Sequence, residues 1–299
     1  MAATKKSSDS DADRTRDGVP LSSLLRVPPG PVSMADFDPE ATPGYPGQGK
    51  DDVEQYVDAL APELSDLQER LFANGRTAPD SAPKVLVVLQ GMDTSGKGGV
   101  IRHAIGLVDP QGVQLKAFKA PNAVERGHHY LWRIRQALPT PGMIGIFDRS
   151  HYEDVLVVRV ESLVGEDVWS ARYDELNEFE AELAREGTTI VKCMLNVSFD
   201  EQKARLAERL ADPSKHWKYN PGDLEARSKW PAYMEAYEAV LERCNTAVAP
   251  WHVIPANRKW YRNWAVAELL RETLEGLNLQ WPKADFDVEA EAKRVASLP

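Results

Sequence analysis

Residues 85–101, VLVVLQGMDTSGKGGVI, constrain the fold more than any other part of the sequence. The first five are apolar and largely β-branched, which predicts a strand buried on both faces. Residues 91–97 fit the G-x-x-x-x-G-K spacing of a phosphate-binding loop, with a helix to follow. Gly91 and Gly96 lack a Cβ, so the backbone can approach an anion closely there. The segment therefore predicts a strand, a phosphate loop and a helix in succession.

The loop itself supplies most of the predicted phosphate contacts. These come from Gly91, Met92, Thr94, Ser95, Gly96, Gly98 and Gly99, and Lys97 adds a full positive charge. Gly98 stands where most such loops carry Ser or Thr, whose hydroxyl holds Mg²⁺. Asp93 is the obvious replacement as a metal ligand. A glycine-rich turn without a ligand is disfavoured, because strand, spacing, lysine and helix agree.

Short apolar strands alternate with longer amphipathic stretches along the rest of the chain. Further strands are predicted at about residues 113–118, 143–147, 189–195 and 251–254, and the helices between them include residues 122–137, 153–164 and 224–244. This alternation predicts an α/β fold, with a parallel sheet covered by helices on both faces. Ligands of such folds bind beyond the carboxyl ends of the strands.

The chain is predicted to form one large domain with appendages. Residues 1–18 are polar and are expected to be disordered. Residues 19–50 are rich in proline, and Leu24, Leu25 and Val27 are expected to anchor them as an irregular arm on the core. The main domain is predicted at residues 51–282, and residues 283–299 form a C-terminal tail.

Composition excludes several classes of function. The net charge of −10 argues against a general nucleic-acid surface. Cys193 and Cys244 are the two cysteines, and neither has metal-ligand spacing. No apolar run reaches the roughly 18 residues of a membrane helix. We therefore expect a soluble cytoplasmic protein that binds neither nucleic acid nor membrane.

A second acidic motif follows the strand predicted at residues 143–147. Asp148 occupies the position from which phosphate-loop proteins hold Mg²⁺, directly or through water, although a helix-capping role is the alternative. Arg149 offers a guanidinium suited to phosphate. Glu153 and Asp154 are expected to begin the next helix, and the alternative is that they support the metal site. Further phosphate-facing cations are expected near the strand ends and in the later loop: Lys119, Arg126, Arg133, Arg205, Arg209, Lys215 and Lys218.

Four blocks of the sequence resemble polyphosphate kinases of the second family in order and spacing. They are GMDTSGKGG at residues 91–99, HYLWR at 129–133, FDRSHYED at 147–154 and DPSKHWK at 212–218. The resemblance covers about residues 50–280. It implies a three-layer P-loop kinase fold of the thymidylate-kinase type with a mobile helical lid, here at about residues 212–223.

The resemblance also implies an activity and residue roles. The activity is Mg²⁺-dependent transfer of a phosphoryl group between inorganic polyphosphate and a nucleoside mono- or diphosphate. Asp93 and Asp148 would organise Mg²⁺, and Lys97 and Arg149 would act on the transferring phosphates. As partners we expect inorganic polyphosphate, the purine nucleotides AMP, ADP and ATP, guanine nucleotides, and further copies of the chain in a homo-oligomer.

The acceptor class stays open at this point. RVPPG at residues 26–30 and TPG at 42–44 resemble the subgroup that accepts nucleoside monophosphates as well as diphosphates. Members of that subgroup often carry Asp at the position of Gly98, and this chain does not.

Two other functions share part of the pattern. An ATP-dependent nucleoside or nucleotide kinase would have the same fold. A nucleotide-binding regulatory switch would need a water-positioning residue and a guanine-reading element of the N-K-x-D type, and we find neither. Transfer to a phosphate acceptor needs no general base, because the acceptor oxygen, with a second pKa of about 6, is largely ionised near neutral pH.

Overall fold

The computed structural model describes residues 15–16 and 18–299. Its strands are β1 (Lys84–Gln90), β2 (Val113–Ala117), β3 (Ile144–Asp148), β4 (Thr188–Asn196) and β5 (Trp251–Pro255). They form one parallel sheet in the order β2-β3-β1-β4-β5. The apolar residues 85–89 lie in the central strand and are almost fully buried. The predicted parallel α/β fold is confirmed.

Helices fill the connections between the strands. The α-helices are α1 (Leu21–Leu25), α2 (Val53–Thr77), α3 (Lys97–His103), α4 (Ala123–Arg126), α5 (Trp132–Arg135), α6 (Val157–Val160), α7 (Glu166–Arg185), α8 (Phe199–Ala211), α9 (Gly222–Ser228), α10 (Trp230–Arg243), α11 (Lys259–Gly276) and α12 (Val288–Ala296). Short 3₁₀ turns occupy Met34–Asp36, Lys50–Asp52, Ile105–Leu107, Pro110–Gly112, His151–Asp154 and Pro213–Lys218. Helix α11 is largely buried and packs on α2, α3, β4 and β5.

Three predicted helices are interrupted. Residues 122–137 form α4 and α5, with a break from Gly127. Residues 224–244 form α9 and α10. Pro231 lies in the first turn of α10, and because proline has no N–H it cannot continue the hydrogen bonds of α9. Residues 153–164 form the turn His151–Asp154 and the short α6. Tertiary contacts of that turn decide its shape, as described below.

The N-terminal arm packs on the main domain, although not in every detail as predicted. Leu25 and Val27 are buried, whereas Leu24 is exposed and anchors less than expected. Arg16 donates to the carbonyl oxygens of Gly44 and Gly47, and Thr15 is buried. The expected disorder of residues 1–18 stays a prediction, and for residues 1–14 and 17 it lies outside the described residues. The domain limits stay predictions.

Candidate active site

The phosphate loop and the second acidic motif meet at one edge of the sheet. The loop follows β1 directly, and Asp148 is the last residue of β3. Leu89 of β1 pairs with Asp148 in register, so the carboxyl ends of these neighbouring strands coincide. The predicted convergence of the two motifs is therefore present in the structure.

The loop backbone adopts conformations that its glycines permit. Gly91 has φ 143° and Gly96 has φ 111°. A Cβ at position 91 would lie 2.7 Å from the carbonyl oxygen of Leu195, so a larger residue would push the loop away from β4. Thr94 also has a positive φ, 66°, although it carries a side chain. Such strain persists only where the surroundings fix the backbone, and it is common at ligand sites.

Lys97 lies at the start of α3 with its side chain folded over the loop. Its Nζ donates to the carbonyl oxygen of Gly91 at 2.7 Å and lies 3.5 Å from that of Met92. Burial lowers the pKa of Lys97, and the carboxylate of Asp93 opposes that shift. The ammonium is thus a buried cation whose hydrogen-bond acceptors are neutral carbonyls, and an anion in the loop would stabilise its charge.

Arg149 joins the two motifs. Its Nη2 donates to Oδ1 of Asp93 at 2.8 Å. Its φ is 62°, a second strained residue at this edge. Burial alone would lower the pKa of Arg149, but the carboxylates of Glu153 and Asp93 hold it above its ordinary value. The guanidinium is therefore charged at any working pH and stays beside the loop.

A cleft of about 260 Å³ opens between the loop, α6 and the helices α9 and α10. Its charged lining consists of Asp93, Arg149, Glu153, Glu161, Asp223 and Glu225. Because carboxylates outnumber the arginine, a polyphosphate anion would be repelled unless additional cations entered with it. The composition of the cleft therefore fits an anionic ligand that arrives with metal.

Asp93 and Asp148 remain the predicted metal ligands. Among the described residues no group of three or more His, Cys, Asp or Glu could hold a metal by itself. Mg²⁺ is often bound by one or two carboxylates, with water and substrate phosphates completing its octahedron. Two carboxylates at adjacent strand ends, beside a phosphate loop, fit that mode of binding.

Two buried hydroxyls in the loop are also suited to contact a bound anion or metal-bound water. Thr94 Oγ1 and Ser95 Oγ have no hydrogen-bond partner among the described residues, and Ser95 is fully buried. Buried hydroxyls are normally satisfied, by protein or by bound groups. Phosphate oxygens or metal-bound water would supply partners.

Several side chains that line the cleft, among them Glu153, Tyr233 and Tyr237, lie outside the predicted site residues. Glu153 was expected to begin a helix, yet it faces the cleft beside Arg149, and burial raises the pKa of its carboxyl group. Tyr233 and Tyr237 project from one face of α10 into the same space. Residues four apart lie on the same face of a helix, so this spacing could have predicted that both rings face the same space.

The turn that carries Glu153 rests on a buried polar network. Glu180 of α7 accepts hydrogen bonds from Tyr152 at 2.7 Å and Lys192 at 2.6 Å, and its Oε1 lies 3.0 Å from His151 Nε2. Although burial works against ionisation, Lys192 and His151 hold the pKa of Glu180 below its ordinary value. These contacts favour a tight turn over the predicted regular helix.

Lys119, which follows β2, and Arg133 of α5 lie together, and neither lines the cleft. Arg133 is buried, stacks on the ring of Phe118 and donates to the carbonyl oxygen of Lys119 at 2.7 Å. Lys119 itself is exposed. Arg126, also exposed, donates to the carbonyl oxygen of Pro121. Their contacts with phosphate stay predictions.

The predicted lid begins where α8 ends. Arg209 of α8 donates to the carbonyl oxygen of Lys218 at 3.0 Å and to Asp223 at 3.2 Å, so it ties the segment together. Lys215 pairs with Asp212, and Lys218 lies over the exposed ring of Trp217. Lys215 and Lys218 are exposed, and their binding of phosphate stays a prediction.

Arg205 does not face the phosphate position, and that expectation is wrong. Its guanidinium is buried behind the loop, where its N–H groups bond backbone carbonyls and Glu201. A guanidinium has no capacity left for phosphate once its donors are used in this way.

Comparison with known proteins identifies close relatives. Residues 49–282 match the sequence model of the family Polyphosphate kinase 2 (PPK2). The AMP/ADP-polyphosphate phosphotransferase of Meiothermus ruber is 49% identical over 258 residues, which are 86% of this chain and 94% of that protein. The ADP-polyphosphate phosphotransferase of Rhodopseudomonas palustris is 37% identical over 84% of this chain and 89% of its own length.

A solved structure also matches. The crystal structure of Polyphosphate Kinase 2 from Arthrobacter aurescens TC1 superimposes with a TM-score of 0.89 at 51% sequence identity. The match covers 93% of this chain and 97% of that one. Within the described residues, no helix combines the length and apolar character needed to cross a membrane.

Proposed function

This chain belongs to the polyphosphate kinase 2 family, and we infer that it transfers phosphoryl groups between inorganic polyphosphate and nucleotides, on a P-loop kinase fold. The observation that carries this inference is the agreement between family membership over residues 49–282 and a phosphate loop that meets a second acidic motif at one sheet edge. The ATP-dependent kinase and the regulatory switch lack comparable support.

The charged residues of the site would stabilise the phosphates of the substrates. Lys97 and Arg149 would contact the transferring phosphoryl group, whose negative charge spreads over its oxygens during transfer. Arg149 is held by Asp93 at 2.8 Å, so its charge is already oriented before a ligand arrives. Preorganised charges of this kind lower the barrier because they need no reorganisation during the reaction.

We propose Mg²⁺ as the divalent metal, held by Asp93 and Asp148 together with substrate phosphates. When bound, the ion would neutralise phosphate charge in a cleft that is rich in carboxylates. This chain would contribute the two carboxylates, the loop N–H groups and the hydroxyls of Thr94 and Ser95, which lack partners among the described residues.

We propose that both AMP and ADP are acceptors. The relative from Meiothermus ruber, at 49% identity, is named for both. An acceptor phosphate oxygen needs no deprotonation near neutral pH, so the absence of an assigned general base is consistent with this role. Guanine nucleotides as further acceptors, a homo-oligomeric assembly, a cytoplasmic location and the lack of contact with nucleic acid or membrane belong to the same proposal.

The direct test is an assay of nucleotide formation. The purified protein would be incubated with Mg²⁺ and either AMP or ADP, with and without polyphosphate. We expect ADP and ATP to form only when polyphosphate is present. A parallel incubation contains ATP and AMP without polyphosphate. Formation of ADP there, with no polyphosphate-dependent product in the other incubations, would contradict the proposal and favour an ATP-dependent kinase.

A further inference from the structure

Two buried arginines contact the phosphate loop from outside the cleft. Arg205 lies on α8 and Arg262 on α11, and their exposed fractions are 5% and 3%. Neither side chain lines the cleft. Cations that are buried at this depth are rare unless paired, so their contacts require an explanation.

Arg205 uses its donors mainly on backbone carbonyls. Nη1 donates to the carbonyl oxygens of Thr94 at 2.9 Å and Ser95 at 3.2 Å. Nη2 donates to those of Ala256 and Asn257, at 2.6 and 2.8 Å. Nε donates to Glu201 at 2.8 Å. The side chain therefore connects the loop to the segment that follows β5.

Arg262 contacts the next part of the loop. Its Nη1 donates to the carbonyl oxygen of Ser95 at 3.1 Å, and its other N–H groups donate to the side-chain oxygen of Asn263. Both acceptors are neutral. Burial, and then the neighbouring charge of Arg205, lower the pKa of Arg262 to about 9. An anion bound in the loop would offset this poorly compensated positive charge.

The loop glycines make room for Arg262. A Cβ at Gly96 would lie 1.8 Å from its Nη1, and a Cβ at Gly99 would lie 2.5 Å from its Nη2. By contrast, a Cβ at Gly98 would meet no atom within 4 Å. Gly96 and Gly99 thus allow the guanidinium to lie directly against the loop backbone.

A loop that points its N–H groups at an anion must turn carbonyls away from it. The carbonyls of the buried residues Thr94 and Ser95 lie in such a loop, and no backbone N–H of the described residues donates to them. An unsatisfied buried carbonyl would favour a different backbone conformation. Arginine satisfies such carbonyls and adds positive charge behind the anion.

We propose that Arg205 and Arg262 are positioning residues that hold the phosphate loop in its anion-binding conformation from behind. They touch neither substrate nor the reacting atoms. The inference rests on the proposed function, because it assumes that the loop binds an inorganic phosphate chain. The residues would act on affinity for that chain rather than on nucleotide contacts.

The test measures binding of Mg²⁺-tripolyphosphate by calorimetry, alongside the melting temperature. Arg205→Lys and Arg262→Lys keep the positive charge but cannot reproduce the forked hydrogen bonds. We expect each to weaken tripolyphosphate binding about tenfold or more, the equivalent of one hydrogen bond to a charged group. The KM for ADP should change much less.

Arg271→Lys is the matched control. Arg271 lies on the same helix as Arg262 and is equally buried, but it pairs with Glu268 and Glu275, away from the loop. We expect it to lower the melting temperature while leaving tripolyphosphate affinity within about twofold. If Arg205→Lys and Arg262→Lys bound tripolyphosphate as tightly as Arg271→Lys does, the positioning role would be overturned.

A further variant covers the case in which the lysine variants do not fold. Gly99→Ala keeps both arginines but forces the Arg262 guanidinium to move, and alanine is favourable within a helix. It should therefore fold and still bind tripolyphosphate more weakly than Gly98→Ala, because both glycines are predicted phosphate contacts but a Cβ at Gly98 meets no atom within 4 Å. Unchanged binding in Gly99→Ala would contradict the proposal. Absence of tripolyphosphate binding by the wild-type protein would instead refute the proposed function itself, and the positioning role with it.

Discussion

Lys97, at the start of α3, and Lys192, in β4, are both buried lysines, yet their surroundings differ. Lys192 of β4 is fully buried and donates to Glu180, Tyr152 and the carbonyl oxygen of Cys244, at 2.6 to 2.7 Å. Lys97 donates to carbonyls of its own loop. Lys192 therefore has three acceptors for its three donors and a carboxylate for its charge.

The difference indicates two roles for one residue type. A buried cation with a complete set of partners stabilises the structure, and it has nothing left to offer a ligand. A buried cation that rests on neutral carbonyls can exchange them for an anion and gain by doing so. Partner chemistry, more than burial, separates the candidate catalytic lysine from the structural one.

The largest expected effect concerns Lys192. Lys192→Met removes the lysine partner of the buried Glu180 carboxylate and leaves it only the contacts with Tyr152 and His151. Breaking a buried ion pair in this way costs about 3–5 kcal/mol of unfolding free energy. Denaturant unfolding measures this loss. Adding Glu180→Gln, which removes the charge but retains an acceptor for Tyr152, should recover much of it. If Lys192→Met alone were as stable as wild type, the structural role assigned to Lys192 would be wrong.

Lys97→Ala should show the opposite pattern. Removing one preorganised charge-stabilising group lowers turnover by about 10²-fold or more. Unfolding free energy should fall by no more than about 1.5 kcal/mol, the value of an ordinary hydrogen bond. Steady-state kinetics and unfolding curves on the same preparation check both points. Turnover near the wild-type level would remove Lys97 from the catalytic set.

Asp148→Asn tests the metal assignment at the end of β3. Loss of a carboxylate that orients the metal, directly or through water, should raise the Mg²⁺ concentration for half-maximal activity about tenfold. Titration of activity with Mg²⁺ at saturating substrates measures the shift. A titration curve that coincides with that of wild type would move the metal to Glu153 or Asp154.

The smallest effect is expected in the lid. Lys215 and Lys218 are exposed, and an exposed charge contact is worth roughly 0.2–1 kcal/mol, or a few-fold in affinity. Lys215→Ala and Lys218→Ala should weaken long polyphosphate more than short and reduce the salt dependence of binding. Steady-state kinetics in which polyphosphate length and nucleotide concentration are varied separately show which substrate the two lysines bind. An increase confined to the KM for the nucleotide would reassign the lid to acceptor binding.

Local patterns in the sequence determined the parallel sheet, the phosphate loop and the position of Asp148. Apolar runs such as residues 85–89 predict buried strands because the burial of β-branched side chains dominates locally. Glycine and lysine spacing within one loop is likewise a local property. Topology rules then bring the ends of parallel strands to one edge, and so the two motifs together.

Tertiary structure decided where the long charged side chains point. Arg205 and Arg209 both fall on α8 and had the same prediction, yet one bonds loop carbonyls and the other ties the lid to Asp223. Residues 151–154 form a tight turn because Glu180, far along the chain, accepts their hydrogen bonds. A flexible cationic side chain reaches several possible partners, and only the packed fold selects among them.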